Sequence, residues 1–149
     1  MTMNLRCGEC GEKKFEARNV RGDFYTPWRD FPRAYLTKDL VLPVCGSCGN
    51  YAIVDDEAER IDLAMEASVR DQASQFIDVI KSKANINAVK LASLLGVTPE
   101  YLSMLSNQKN TPSYRIWNML KLVATDPKKL TLELDPNWDI RKENLLLRA

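Results

Sequence analysis

Four cysteines stand in two Cys-x-x-Cys pairs, Cys7 with Cys10 and Cys45 with Cys48, and the chain has no other cysteine and no histidine. Each pair runs into glycine, as Cys7-Gly8-Glu9-Cys10-Gly11 and Cys45-Gly46-Ser47-Cys48-Gly49. Two such turns can gather four thiolates at the corners of a tetrahedron, the coordination that Zn²⁺ prefers. The glycines let the backbone bend tightly, so that its N–H groups point at the sulfurs. A site filled by four sulfurs leaves no position for water or substrate. One structural Zn²⁺ is therefore expected, with no chemistry at the metal. Two disulfides are the alternative use of the same residues. Against them, Met1 to Arg6 has no apolar signal core and the chain is too polar for a membrane span, which points to a reducing, cytoplasmic setting.

The elements that must hold these residues differ along the chain. Its 149 residues allow one domain or two small ones. With 21 basic and 20 acidic side chains, the net charge of +1 hides any partner, but the distribution is uneven. Residues 1–54 carry a net +2, 55–78 a net −6, 79–130 a net +6 and 131–149 a net −1. An acidic connector thus separates a near-neutral metal module from a basic segment that suits a polyanion. A solvated, lysine-rich helical surface would give the same count.

Between the cysteine pairs, Phe15, Val20, Phe24, Tyr25, Trp28, Phe31, Tyr35, Val41 and Val44 are interrupted by Gly22, Pro27, Pro32 and Pro43. This texture predicts short strands and turns. A module spanning 1–54 is small for a hydrophobic core of its own, so metal binding is expected to supply much of its folding free energy. Its aromatics are expected to pack around the metal, with Trp28 and Phe31 as the two that a docking surface would use. Asp55-Asp56-Glu57 then places negative charge where a helix begins. Ile61, Met65, Val69, Ala73, Phe76, Ile77 and Ile80 follow at helical spacing. They predict one long helix, or two broken near Asp71–Ser74. Its acidic first part, 55–75, is thinly apolar and reads as a linker or partner face.

Residues 76–130 form the second strong pattern. Asn87 can cap a helix over Ala88 to Leu95, with Leu91, Leu94 and Leu95 inward, and Gly96 can take the left-handed turn that ends it. Thr98 can cap a second helix with Pro99 at its first position and Leu102 and Leu105 inside. Pro112-Ser113 opens a further helix with Ile116, Met119, Leu120 and Val123 inward, and Asp126-Pro127 restarts the chain. Two short helices about a glycine turn are the layout of a helix-turn-helix bundle.

The run Leu91-Ala92-x-Leu94-Leu95-Gly96-Val97-Thr98-x-x-Tyr101-Leu102-Ser103-x-Leu105-x-Asn107, followed by Pro112-Ser113, resembles the Cro/XRE family of helix-turn-helix proteins. The order of twin cysteine knuckles, linking helix and bundle resembles MqsA-type antitoxins. The resemblance implies a zinc module that binds a toxin and a helical domain that dimerises and binds its own operator. Carried over residue by residue, the base-facing slots are Thr98, Pro99, Glu100, Ser103 and Met104. Thr98 and Ser103 can hydrogen-bond bases or phosphates, Pro99 and Met104 offer apolar contact, and Glu100 can accept from cytosine. Ala88 stands where the family usually has a phosphate-anchoring Gln. Asn107, Gln108, Lys109 and Asn110 in the following loop, with Arg115, fit phosphate contacts, and Lys90, Lys109 and Arg115 would set the salt dependence.

These readings predict an α+β chain: a small β-rich zinc-ribbon module, joined by a helix to an all-α helix-turn-helix bundle. The tail, 131–149, alternates Leu132, Leu134, Trp138 and Ile140 with polar residues and ends near Leu145-Leu146-Leu147, which suits packing onto the bundle or onto a neighbouring subunit. No histidine, phosphate loop or carboxylate pair speaks for an enzyme. The function expected is a DNA-binding transcriptional regulator, antitoxin-like and autorepressing. It would act as a homodimer on palindromic double-stranded DNA and bind a toxin or other protein through its zinc module. The alternative is a protein-binding adaptor whose bundle serves dimerisation.

Overall fold

Proline at positions 27, 32 and 43 keeps the extended segments between the cysteine pairs short. The structure, a computed structural model, describes residues 4–54 and 56–127. Within them, four strands form two antiparallel pairs: β1 (Phe15–Asn19) with β4 (Val41–Cys45), and β2 (Tyr25–Trp28) with β3 (Phe31–Tyr35). The first pair runs in register from Phe15 opposite Cys45 to Asn19 opposite Val41. The second is a hairpin inserted between β1 and β4. Its register shifts between Thr26 and Trp28, at Pro27, where the missing N–H interrupts a ladder that is already irregular.

Helix α1 (Asp56–Ala84) runs unbroken for 29 residues, with Asp56, Glu57 and Glu59 in its first turn and Lys81 and Lys83 in its last. Those charges suit the helix dipole at both ends. Asn85, at φ 51, ends it. No break occurs near Asp71–Ser74, and the helix crosses from the acidic stretch into the basic one. Its first half is not a thinly apolar spacer: Ile61, Met65, Ser68 and Val69 are buried. The acidic residues occupy the other sides, so a low overall hydrophobicity hides a narrow apolar stripe.

Three shorter helices follow, α2 (Ala88–Leu95), α3 (Pro99–Ser106) and α4 (Tyr114–Thr125). Each is opened by a side chain that accepts from a first-turn N–H: Asn87 from Lys90, Thr98 from Tyr101 and Ser113 from Ile116. Gly96, at φ 69, closes α2 in a left-handed conformation that a side chain would strain. Leu91, Leu102, Leu105 and Leu120 are buried as the spacing predicts. Leu94 and Leu95 are only half-buried. In α4 the buried aromatic is Trp117, and Met119 is half-buried and outside the core cluster.

The hydrophobic core is continuous from strands to helices. Val20, Phe24, Trp28, Phe31, Leu36 and Leu42 belong to the same buried cluster as Met65, Ile77, Leu91, Leu105, Trp117 and Leu120. Trp28 and Phe31 are 7% and 2% exposed, so neither is a free docking surface. They do not pack around the cysteines either. The Phe31 ring lies 5.3 Å from Tyr114 and 5.6 Å from Trp117, edge-on to both, and Trp117 meets Phe76 in turn. Such edge-to-face pairs join the β2–β3 hairpin to α1 and α4. Among the described residues no helix is long and apolar enough to cross a membrane. The expected restart at Lys128 and the expected packing of 131–149 lie outside the described residues.

Candidate metal centre

Each cysteine pair sits in the same local turn. Gly11 N–H donates to the Cys7 carbonyl at 2.9 Å, and Gly49 N–H donates to the Cys45 carbonyl at 2.9 Å. Cys7 N–H reaches the Glu12 carbonyl at 2.9 Å, as Cys45 N–H reaches Asn50 at 2.8 Å. Gly11 and Gly49 stand at φ 75 and 76, so the glycine after the second cysteine carries the left-handed step in both. Gly46 answers a different need. A Cβ there would come within 3.2 Å of the Lys14 carbonyl, to which Gly46 N–H donates at 2.7 Å. That bond ties the second turn to the chain leaving the first. The pairing of Phe15 with Cys45 then brings the two turns face to face, over a small cluster of Cys7, Phe15 and Cys45.

The four sulfurs lie within 4.8 Å of one another. Their short contacts run between the turns, Cys7 to Cys48 at 3.5 Å and Cys10 to Cys45 at 3.6 Å. All four cysteines are free thiols. A tetrahedral ion with metal–sulfur bonds of about 2.3 Å needs sulfurs about 3.8 Å apart. The spacing therefore fits one such ion, and the chain can hold one at Cys7, Cys10, Cys45 and Cys48.

The electrostatics favour a cation. N–H groups of Cys10 and Glu9 point at the Cys7 sulfur and lower its pKa to about 6. The N–H groups of Cys48 and Ser47 lower Cys45 in the same way. Cys10 and Cys48 also receive N–H donors, from Glu12 and Asn50, yet both are raised, Cys48 to about 12. In each the donor is the largest single influence, but the raising influences together outweigh it. These are burial with the Cys45 and Cys7 thiols for Cys10, and the Cys7 thiol, burial and the Cys10 and Cys45 thiols for Cys48. Once two thiolates exist at this distance, further ones are repelled. A divalent ion at the centre removes that repulsion, so metal and thiolates form together. Cys7 and Cys45 are buried, whereas Cys10 and Cys48 face the surface, so the centre lies at the rim of the module.

Away from the cysteines, the residues read as nucleic-acid contacts are distributed over α2, α3 and the segments after them. Lys90, Thr98, Pro99, Glu100, Ser103, Met104, Asn107, Lys109 and Arg115 are all exposed. Along α3, the exposed Pro99, Glu100, Ser103 and Met104 lie away from the buried Leu102 and Leu105. The Thr98 hydroxyl is engaged as the helix cap at 3.2 Å, and Asn107 donates to Ser103 Oγ at 3.4 Å. Arg115 lies on α4, on the side opposite its buried face.

A polar seam that spacing alone does not reveal fixes the loop between α3 and α4. Arg70 of α1 donates to Thr111 Oγ1 at 2.8 Å and to Glu66 at 2.9 Å, while Thr111 also donates to Glu66 at 2.9 Å. Gln108, one of the loop residues read as a phosphate contact, instead donates to Asp71 at 3.2 Å. Asp30, in the β2–β3 turn, accepts from Tyr114 N–H at 2.8 Å across 84 residues of chain and so adds a carboxylate to the Ser113 cap of α4. Trp28 Nε1 donates to Asp62 at 2.7 Å, and Trp117 Nε1 donates to Gln72 at 3.0 Å. The acidic residues of α1 thus serve partly as acceptors for the strands and the later helices. Acid in a helix's first turn is a local signal; which donors it will meet is not. No protein-family model matches the chain, and no curated protein matches it significantly.

Proposed function

We propose that this chain is a DNA-binding regulator stabilised by one structural Zn²⁺, with Cys7, Cys10, Cys45 and Cys48 as ligands. Zinc suits a closed all-sulfur tetrahedron and, when bound, it locks the two turns together without opening a reactive position. The helical half is read as a helix-turn-helix, with α3 as the recognition helix. The observation that carries this is the join between α2 and α3. Two eight-residue helices meet through the left-handed Gly96, each with its own side-chain cap, and α3 keeps one whole side exposed. That side, from Thr98 to Met104, is narrow and lightly charged enough to enter a major groove. Lys90 and Lys109 precede and follow it in the chain, both exposed, in a segment of net charge +6, and phosphates supply much of the affinity.

In this reading the regulator acts as a homodimer on palindromic double-stranded DNA, with half-sites about one helical turn apart. An antitoxin-like role, with a toxin or other protein bound at the metal module, follows from the resemblance in the order of its parts. The direct test is a gel shift of the zinc-loaded protein against the DNA upstream of its own gene. Binding is expected to weaken steeply with salt, and Lys109→Ala should weaken all sequences alike while flattening that dependence. No binding at low salt would refute the regulator reading.

One observation favours a second reading, a protein-binding adaptor. Through Ser106, α3 presents no Arg, Asn or Gln for bidentate base contacts, and Glu100 faces outward where it repels phosphate. A negative gel shift, together with capture of the neighbouring gene's product on residues of the metal module, would select the adaptor.

A further inference from the structure

Trp117, Leu120 and Ala124 mark the face of α4 that turns to the core. With one turn every 3.6 residues, Arg115, Met119, Leu122 and Asp126 fall in a line on the opposite face. Leu122 is 59% exposed there. An apolar groove of about 610 Å³ borders this face, lined by Met119, Leu122 and Val123 between Arg115 and Asp126. Spacings of four, three and four, with two apolar residues bracketed by opposite charges, are the pattern of a seam between helices.

The charges are set against their own helix. Arg115 lies in the first turn, where exposed N–H groups already concentrate positive charge, and Asp126 is the C-cap, beside the last carbonyls. Reversed signs would suit an isolated helix better. A second α4 laid antiparallel removes the mismatch. A two-fold axis passing between Leu120 and Lys121 relates residues at equal distances on either side of it. Arg115 then faces Asp126 of the second copy, and Met119 faces Leu122 of the second copy, each pair occurring twice. The two charges lie about 16 Å apart along the helix, so both ends can engage at once. The stripe is self-complementary as an isologous contact requires.

We propose that two copies of this chain associate through an antiparallel α4–α4 contact made by Arg115, Met119, Leu122 and Asp126. This goes beyond the regulator reading, which needs a dimer but does not say what makes it, and it gives Arg115 to the second copy instead of to phosphate. A contact of one short helix from each copy is small, so the dimer dissociates in the micromolar range.

Sedimentation equilibrium of the full-length zinc-loaded protein tests it. The wild type is expected to form dimers. Leu122→Glu, at an exposed position, should weaken them by about tenfold or more with unchanged helical circular dichroism. Arg115→Asp and Asp126→Arg should each weaken self-association, because like charges then face each other. Mixed in equal amounts, these two variants should form a heterodimer, since every facing pair becomes Asp against Arg. Three outcomes overturn the proposal. One is a wild type that stays monomeric at about 100 µM, whether the chain's own residues beyond Pro127 or nothing at all covers the face. The others are a dimer indifferent to all three substitutions, and single-charge variants that fail to associate when mixed. A wild type that dimerises in this way yet gives no gel shift would instead count against the regulator reading alone.

Discussion

Replacing Phe31 with alanine, a change in a β-strand, is expected to lower the melting temperature of the helices. The ring is 2% exposed and lies 5.3 Å from Tyr114, 5.6 Å from Trp117 and 5.7 Å from Trp28. Truncating a buried phenylalanine costs about 3–5 kcal/mol through lost transfer energy and the cavity left behind. Three aromatic neighbours place the change in the upper part of that range, since each such pair adds about 0.5–1.5 kcal/mol beyond burial. Chains of this size are stable by about 5–15 kcal/mol, so the loss is a large fraction of the total. A fall of about 10–20 °C in melting temperature follows. Thermal denaturation followed by helical circular dichroism and by tryptophan fluorescence provides the assay, and the two curves should move together. A helical transition that stays put while only the fluorescence transition shifts would refute the argument, because it would mean that strands and helices do not share one core.

Two further outcomes follow from the metal centre and the α2–α3 join. Cys10 is raised above its ordinary value of 9.0 and Cys48 stands at about 12, so at pH 7 both are protonated in the metal-free protein. Metal uptake must then release at least two protons, and the affinity should rise by roughly 100-fold per pH unit between pH 6 and 8. Competition against a chromophoric chelator measures this; an affinity independent of pH would contradict the thiol assignment. Gly96→Ala should destabilise the fold by about 1–2 kcal/mol. A Cβ at Gly96 meets nothing within 4 Å, so the penalty comes from φ 69 alone. Gly96→Asn should therefore recover part of the loss in the same melt, and an alanine variant as stable as wild type would show the turn to be free of strain.

Much of the local architecture was legible in advance because its causes lie within a few residues. Asn87, Thr98 and Ser113 cap the helices that they precede, and each does so through an N–H three residues on. Pro99 and Gly96 act through their own backbone torsions. The cysteine turns close through bonds spanning four or five residues. Reading failed where a side chain's role depends on the far side of a contact. The apolar stripe of α1 is thin enough in the sequence to pass for a spacer, and the hairpin and the later helices cover it. Periodicity points Met119 inward, but Trp117 takes the core position and Met119 stays half-buried outside the core cluster. The loop composition suits Gln108 to a phosphate, but Asp71 already holds its side chain.

The amino-acid sequence by itself determined which four atoms can hold a metal, where α2, α3 and α4 begin, and where α2 must turn. Each of these is set by the torsions and hydrogen bonds of neighbouring residues, which the order of side chains specifies directly. Only the tertiary structure decided that the cysteine-bearing strands and the helical half share one core, through Phe31, Trp117 and the Asp30 cap on α4. Those contacts join residues 84 or more positions apart. Hydrophobic burial is non-directional, so an aromatic side chain declares that it will be buried without declaring against what; the partner is chosen when the whole chain closes on itself.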